Sequence, residues 1–377
     1  MSLRGQSFVR ATLVLIGTVI GAGIFALPAA FRASGLVLGS IIYWVVALVV
    51  MATHMLYADV VLSSPAMLRT RFFGQIKSAF GIWMGRLAGL THGLQIIGAC
   101  LAYIILGGNF LAVLAPYFGW SGIQIIWQVL FWCLGALLVL IGLSFMARVE
   151  AWLTWALLAL LSVSIGLFAM RISGAAPTPS SWGGALSMLG VALFALFGYP
   201  VIPELAELCR RNRRMTRLAV VLGSFFSALV MWLFGVFAYL GSGVSLTADP
   251  AELTRVLPHS YFWLIPAVGF LAVLTSFITL AEDLMAMFHL DLKLPRVLAW
   301  LAATGCPVLF LLLIKTNFLS AVEFVGAVFS SLNGILIVAL ALKLMRRDTQ
   351  RMFWWKFVGP SVCAAVFCFA LISRILN

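Results

Sequence analysis

Residues 17–28 read Gly17-Thr18-Val19-Ile20-Gly21-Ala22-Gly23-Ile24-Phe25-Ala26-Leu27-Pro28. They sit inside an apolar run long enough to cross a bilayer, which takes about 20 residues. Glycines and a proline at this density are poor material for a helix interior, so this span is expected to break near Gly21-Ala22-Gly23. A second stretch has the same character: Phe194-Ala195-Leu196-Phe197-Gly198-Tyr199-Pro200-Val201-Ile202-Pro203-Glu204. Each interruption falls in the first helix of a five-helix set, and an odd set forces the next one to insert upside down. Paired breaks at matching positions of two halves point to a transporter binding site. The plainer alternative is that these residues only allow a kink or close helix packing.

The chain has 377 residues, of which 64% are hydrophobic and 9% charged, and its mean hydropathy is +1.14. No soluble domain of this size buries so much apolar surface, so the bilayer is its solvent. Lipid admits only helices and closed barrels, and continuous apolar runs without alternation exclude the barrel. The expectation is an all-α integral membrane protein of about eleven spans. Residues 1–177 would form the first five-helix repeat, 178–342 the inverted second repeat, and 343–377 an extra helix. The first span reads as a retained helix, since no small-residue cleavage site fits it.

The net charge of +13 comes from 24 Lys and Arg against 11 Asp and Glu. Most of the cations, including the run Arg210-Arg211-Asn212-Arg213-Arg214, fall on one side of the spans. That bias puts the N-terminus in the cytoplasm and, with an odd span count, the C-terminus outside. It makes the charge a topology signal and a contact for lipid headgroups, with no nucleic-acid partner. The six cysteines form no CxxC pair, which implies no disulfide framework and no transition-metal site.

Unwinding a helix in mid-membrane frees backbone groups that lipid cannot satisfy. Freed N–H groups at Gly21, Ala22, Gly23 and Ile24 open a new half-helix, whose positive end suits a carboxylate. Freed carbonyls near Thr18, Ile20, Phe194 and Ala195 suit an ammonium group or a cation. An α-amino acid carries both charges.

The first-helix motif resembles the opening signature of the amino acid/polyamine/organocation superfamily, closest to the aromatic and hydroxy amino acid permeases and the related amino acid/auxin permeases. Gly98-Ala99-Cys100-Leu101-Ala102-Tyr103 with Gly107-Gly108-Asn109-Phe110 is similar to their third helix, Phe194 to Glu204 to their sixth, and Leu274-Thr275-Ser276-Phe277 to their eighth. The resemblance implies the LeuT-type fold, with broken helices 1 and 6, in a bacterial inner membrane. It implies a symporter that moves an amino acid by alternating access. The carboxylate would sit at Gly21, Ala22 and Gly23, and the side chain against Tyr103, Phe194 and Tyr199 around the Gly198 break. No histidine follows Gly198, a departure that leaves the substrate's identity open.

The coupling ion stays open between sodium and a proton, with sodium favoured; no other cofactor is expected. The resemblance implies a sodium site between helices 1 and 8, from Gly17 and Ile20 on one side and Ala272, Thr275 and Ser276 on the other. The competing reading has Thr275 and Ser276 bonding back to their own helix. The lysine that some proton-coupled relatives place on helix 5 is absent from Val149–Met170. Intramembrane ionisable groups remain candidates: His54, Asp59 and His92 as a proton relay, or as ordinary interhelical hydrogen bonds. Arg4 or Arg10 with Asp291 forms a candidate inner gate. A proton-coupled permease or an exchanger of another small zwitterion or amine is the alternative. An enzyme is not expected: no HExxH, GxSxG or metal-spaced cluster occurs. A channel would need pore-lining charge rings or a symmetric filter.

Overall fold

A computed structural model describes residues 3–63, 65–141, 143–172, 179–242, 253–257, 259–313, 316–345 and 355–376. The first segment is a pair of half-helices, α1 (Leu3–Val19) and α2 (Gly23–Ser34), bent by 54° at the break. α3 (Leu36–Val61) follows, then two short helices, α4 (Pro65–Arg69) and α5 (Phe72–Phe80). Next come α6 (Ile82–Leu114), α7 (Gln124–Ile141) and α8 (Leu143–Ala169). The sixth segment is divided again, into α9 (Trp182–Leu196) and α10 (Ile202–Leu208). The remainder is α11 (Arg213–Ser242), a short α12 (Leu253–Val256), α13 (Leu264–Ala286), α14 (Arg296–Leu313), α15 (Phe318–Phe324), α16 (Ser331–Met345) and α17 (Trp355–Leu376). α13 continues through a π-helical turn, Met287–Asp291, and a second one, Val325–Ser330, joins α15 to α16.

Nine helices among the described residues are long and apolar enough to cross a membrane, and the bent α1–α2 pair makes a tenth. The shorter apolar stretch Gly359–Ile375 matches the remaining expected span. Several helices start where a side chain takes up a free backbone N–H. Ser181 Oγ accepts from Gly184 at the head of α9 (3.0 Å), Asn212 Oδ1 from Met215 at α11 (3.0 Å), and Asn317 Oδ1 from Ser320 at α15 (2.9 Å).

Burial separates an inner set of helices from an outer one. The most apolar window of α9–α10 is 83% buried, that of α13 with its π turn 78%, and that containing α6 72%; α7 and α14 stay at 28% and 22%. The helical period sorts the two faces of α3: Val37, Ile41, Val45 and Leu48 are exposed on one stripe, while Val46, Val50, His54 and Tyr57 are buried on the other. The exposed stripe is apolar because its solvent is lipid.

The two broken segments pack directly on one another. A Cβ added at Gly23 would lie 2.6 Å from both Cα and Cβ of Ala195. One added at Gly198 would lie 2.6 Å from Val19 Cγ2. Glycine at these two positions is therefore what lets the breaks meet. A Gly23→Ala substitution is expected to force α2 and α9 apart and to lower the melting temperature of the purified protein by several degrees. Gly166, which faces open space, supplies the control. Gly166→Ala should leave stability unchanged or raise it by up to about 1 kcal/mol through helix propensity. Equal melting temperatures for the two variants would refute the packing argument.

Candidate functional site

The break in the first segment leaves specific backbone groups over. Ile20 N–H still reaches the Ile16 carbonyl (2.9 Å), but Gly21 N–H turns back to Val19 (2.9 Å). The Gly17 and Thr18 carbonyls thus lose their helical partners, and Ser276 Oγ of α13 donates to them instead, at 3.4 and 3.3 Å. On the far side, Ala22 and Gly23 N–H have no backbone acceptor among the described residues. They form the open positive end of α2.

In the sixth segment, Phe197 (φ −86°, ψ 82°) ends α9. Gly198 N–H donates to His54 Nε2 at 3.1 Å. An amide only donates, so Nε2 must accept, and Nδ1 must carry the ring proton and donate to Ser224 Oγ at 3.0 Å. His54 is therefore a neutral cap for the helix-6 break, held by α3 and α11.

Between the breaks lies a cavity of about 30 Å³. It is lined by Thr18, Gly21, Gly23, Tyr103, Phe194, Ala195 and Gly198, all expected from sequence. Gln95, Ile96, Ala99, Phe197 and Val325 also line it. A Cβ at Gly21 would lie 2.7 Å from Ser276 Oγ and 3.1 Å from the Tyr103 hydroxyl. Small-molecule pockets normally run to roughly 300 Å³ or more, so this is a closed form. Tyr103 and Phe194 on its wall pack edge to face at 6.3 Å between ring centroids, and Phe25 of α2 packs on Phe110 of α6 at 5.0 Å. On the α5 face, Tyr199 packs on Phe72 at 5.4 Å and on Tyr57 at 5.6 Å.

Comparison with known proteins identifies the family. The model of the tryptophan/tyrosine permease family matches residues 4–377. The chain belongs to this permease family. Glutamine transporter 2 of Aliivibrio fischeri is 21% identical over 360 residues, 90% of each chain. The crystal structure of MhsT in complex with L-phenylalanine superposes with a TM-score of 0.65 at 17% identity, over 96% of this chain and 98% of that one. Mhp1, a nucleobase-cation-symport-1 family transporter in a closed conformation with bromovinylhydantoin bound, gives 0.67 at 13% identity, over 98% and 91%. The fold is thus the LeuT type, with two inverted five-helix repeats, broken helices 1 and 6, and one extra helix. The chain is a multi-pass membrane transporter and not an enzyme.

Several residues of this permease sit differently from expectation. Tyr199 is fully buried but does not line the cavity. The 3₁₀ turn Tyr199–Val201 swings its ring toward α6, where the hydroxyl meets His92 Nδ1 and lies 3.4 Å from Gln95 Oε1. Ala22 and Ile24 are buried beside the cavity rather than on its wall. His54, Asp59 and His92 do not form one relay. His54 is committed to the break, Asp59 pairs with Arg213 and Arg217 of α11, and His92 Nε2 meets Asp283 Oδ2 at 2.8 Å. The inner-gate pairing also differs. Asp291 accepts backbone N–H groups of Arg71 (3.2 Å) and Gly74 (2.9 Å), which caps α5. Arg10 makes no ion pair with Asp291, its Nε lacking a partner among the described residues, and the side chain of Arg4 lies outside those residues. The acid that an arginine approaches here is Asp283, 3.8 Å from Arg71 Nε.

At the expected cation site, Ser276 reaches helix 1 as described. Thr275 Oγ1 donates to Leu271 (2.9 Å) and Ala272 (3.1 Å) of its own helix, leaving its lone pairs unused. Ile20 and Ala272 are fully buried. The sequence reading missed two residues here. Thr154 of α8 buries a hydroxyl with no hydrogen-bond partner among the described residues, and a Cβ at Gly17 would come within 2.5 Å of it. Gln95 was also missed; a lone amide in an apolar span was the one signal, and no motif surrounds it.

Replacing His54 with leucine is expected to leave the Gly198 N–H only its turn bond to the Leu196 carbonyl (3.1 Å) and to remove the ring partner of Ser224, costing about 0.5–1.5 kcal/mol. Thermal unfolding of His54→Leu beside His54→Gln tests this, because glutamine can restore the acceptor. A leucine variant as stable as wild type would refute the capping role.

Proposed function

We propose that this transporter carries an α-amino acid across a bacterial inner membrane by cation-coupled symport, with its N-terminus in the cytoplasm and its C-terminus outside. The observation that carries the reading is the start of α2, where the Ala22 and Gly23 N–H groups have no backbone acceptor among the described residues and Gly23 lines the cavity at the two breaks. A substrate carboxylate docks on those donors, where the half-helix dipole adds to the attraction. The ammonium group turns to carbonyls at the helix-6 break, Phe194 and Ala195 among them. The side chain lies among Tyr103, Phe194 and Ile96, with the Gln95 amide as the polar group within reach. Entry requires Tyr199 and its aromatic neighbours to withdraw on the α5 face, or the Phe25 and Phe194 pairs on the other.

Sodium is the favoured coupling ion. Its oxygens would be the Gly17, Ile20 and Ala272 carbonyls with the Thr275 and Ser276 hydroxyls, a set suited to a hard cation. The unpartnered Thr154 hydroxyl adds one more oxygen against Gly17. A proton is the second reading, favoured by a hydrogen-bonded chain that leaves the cavity at Gln95, passes through Tyr199 and His92, and ends at Asp283 beside Arg71.

Purified protein in liposomes, screened with each labelled amino acid, is expected to accumulate at least one only under an imposed ion gradient. No uptake or binding of any amino acid would sink the substrate reading. With sodium drive, Ser276→Ala should raise the sodium concentration for half-maximal uptake about tenfold, equivalent to roughly 1.4 kcal/mol. Uptake that survives replacement of sodium by choline at fixed pH, and that His92→Gln abolishes, would replace sodium with the proton.

Gly21→Ala places a methyl against Ser276 and Tyr103, at the contact of substrate and ion sites. It is expected to reduce uptake at least tenfold at equal expression. Unchanged uptake would remove Gly21 from the site.

A further inference from the structure

Away from the breaks themselves, two cavities adjoin beside α3, α9 and α17. One is an apolar groove of about 470 Å³, walled by Ile42 and Val46 of α3, Ala185 of α9, and Val362, Ala365 and Phe369 of α17. The other, of about 240 Å³, is polar and contains Ser187, Glu323, Ser373 and Arg374. Trp182, Leu186 and Leu189 line both, so the two adjoin along α9.

The polar end holds opposite charges that only partly satisfy each other. Glu323 Oε1 accepts from the Ser187 hydroxyl. Its Oε2 lies 4.0 Å from Arg374 Nη1, the outer limit of an ion pair, with the arginine side chain 39% exposed. Such a pair contributes little by itself, and each group keeps capacity for an outside partner.

The depth of the space matches one leaflet. Trp182, 70% exposed, opens α9, and Arg374 stands in the last turn of α17. An aromatic ring and an arginine at helix ends mark the headgroup level. The helix from Arg374 back to Val362 spans about 18 Å at 1.5 Å per residue. Half of a bilayer core is roughly 15 Å. The groove therefore starts at the headgroups and ends near the bilayer centre.

We propose that this space binds one phospholipid with a phosphoethanolamine headgroup. The phosphate pairs with the Arg374 guanidinium, the primary ammonium with the Glu323 carboxylate, and one acyl chain fills the groove between α3, α9 and α17. A headgroup carrying both charges suits a wall carrying both; an anionic lipid without the ammonium meets Glu323 uncompensated. The lipid would brace α9 at Leu186 and Leu189, and the far end of the same helix supplies Ala195 to the substrate cavity. The proposal does not depend on which substrate or ion the transporter uses.

Native mass spectrometry of the full-length protein in detergent tests it, with phosphatidylethanolamine and phosphatidylglycerol of equal chains titrated in turn. Wild type is expected to retain the ethanolamine lipid at least about tenfold better. Glu323→Gln should erase that preference. Arg374→Gln and the groove-filling Ala365→Phe should each lower retention of the ethanolamine lipid about tenfold. A single gel-filtration peak and a wild-type circular-dichroism spectrum verify that each variant is folded, and the wild-type comparison needs no variant. Equal retention of the two lipids by wild type would overturn the proposal, as would unchanged retention in Arg374→Gln. Displacement of the lipid by chain-free glycerophosphoethanolamine or by an amino acid would make the space a small-molecule site and overturn it too.

Discussion

Lipid offers a backbone neither donors nor acceptors, so each group freed by unwinding a helix must find a partner inside the protein or in a ligand. The rest of this structure follows from how that requirement is met at two breaks. The Gly17 and Thr18 carbonyls draw Ser276, which fixes α13 against α1. The Gly198 N–H draws His54, which fixes α3 and, through Ser224, α11 against the sixth segment. What keeps no backbone acceptor among the described residues is the Ala22–Gly23 end of α2, the group to which the proposed carboxylate contact is assigned. A break wholly satisfied by protein would be a kink; one left partly open is a binding site.

The same constraint explains the division of the helices. α6, α9–α10 and α13 are largely buried because they surround the breaks and exclude lipid from them. α7 and α14 carry apolar residues on their outward faces and act as scaffold. The short α5 is held between the two parts. Asp291 caps its start, and Lys343 of α16 reaches the Ala79 carbonyl near its end. Through Phe72 it packs on Tyr199 of the broken sixth segment. The sealing of the cavity on that face rests on aromatic packing with His92, Asp283 and Arg71 behind it, rather than on one exposed ion pair.

The helical segments, their number and both breaks were legible because each rests on local rules: apolar run length, and the poor fit of glycine and proline in a helix. Seven of the residues expected around the substrate do line the cavity; six belong to the two broken segments, and the seventh, Tyr103, came from the resemblance of the third helix. Tyr199 was misplaced because its direction depends on the φ and ψ values of Phe197 and Gly198, which composition does not encode. His54 and Asp59 lie on one span and His92 on another, and all three carry ionisable side chains, which made a relay reasonable. Rotation of α3 about its axis instead sends His54 to the break and Asp59 to α11. Gln95 and Thr154 stayed hidden, because a single polar residue in an apolar span has no meaning until its neighbours in space are known.

By itself the sequence determined the solvent, the helical class, the number of spans and the places where helices cannot continue. Those follow from hydropathy and backbone conformational preference, which act over one or two turns. Tertiary structure decided which freed backbone groups are capped and which stay open, and it alone set the apolar groove beside the Glu323–Arg374 cavity. Both depend on helix rotation and depth, set by packing between residues far apart in the chain. No local pattern carries that information, and it is what turns a pair of broken helices into a site.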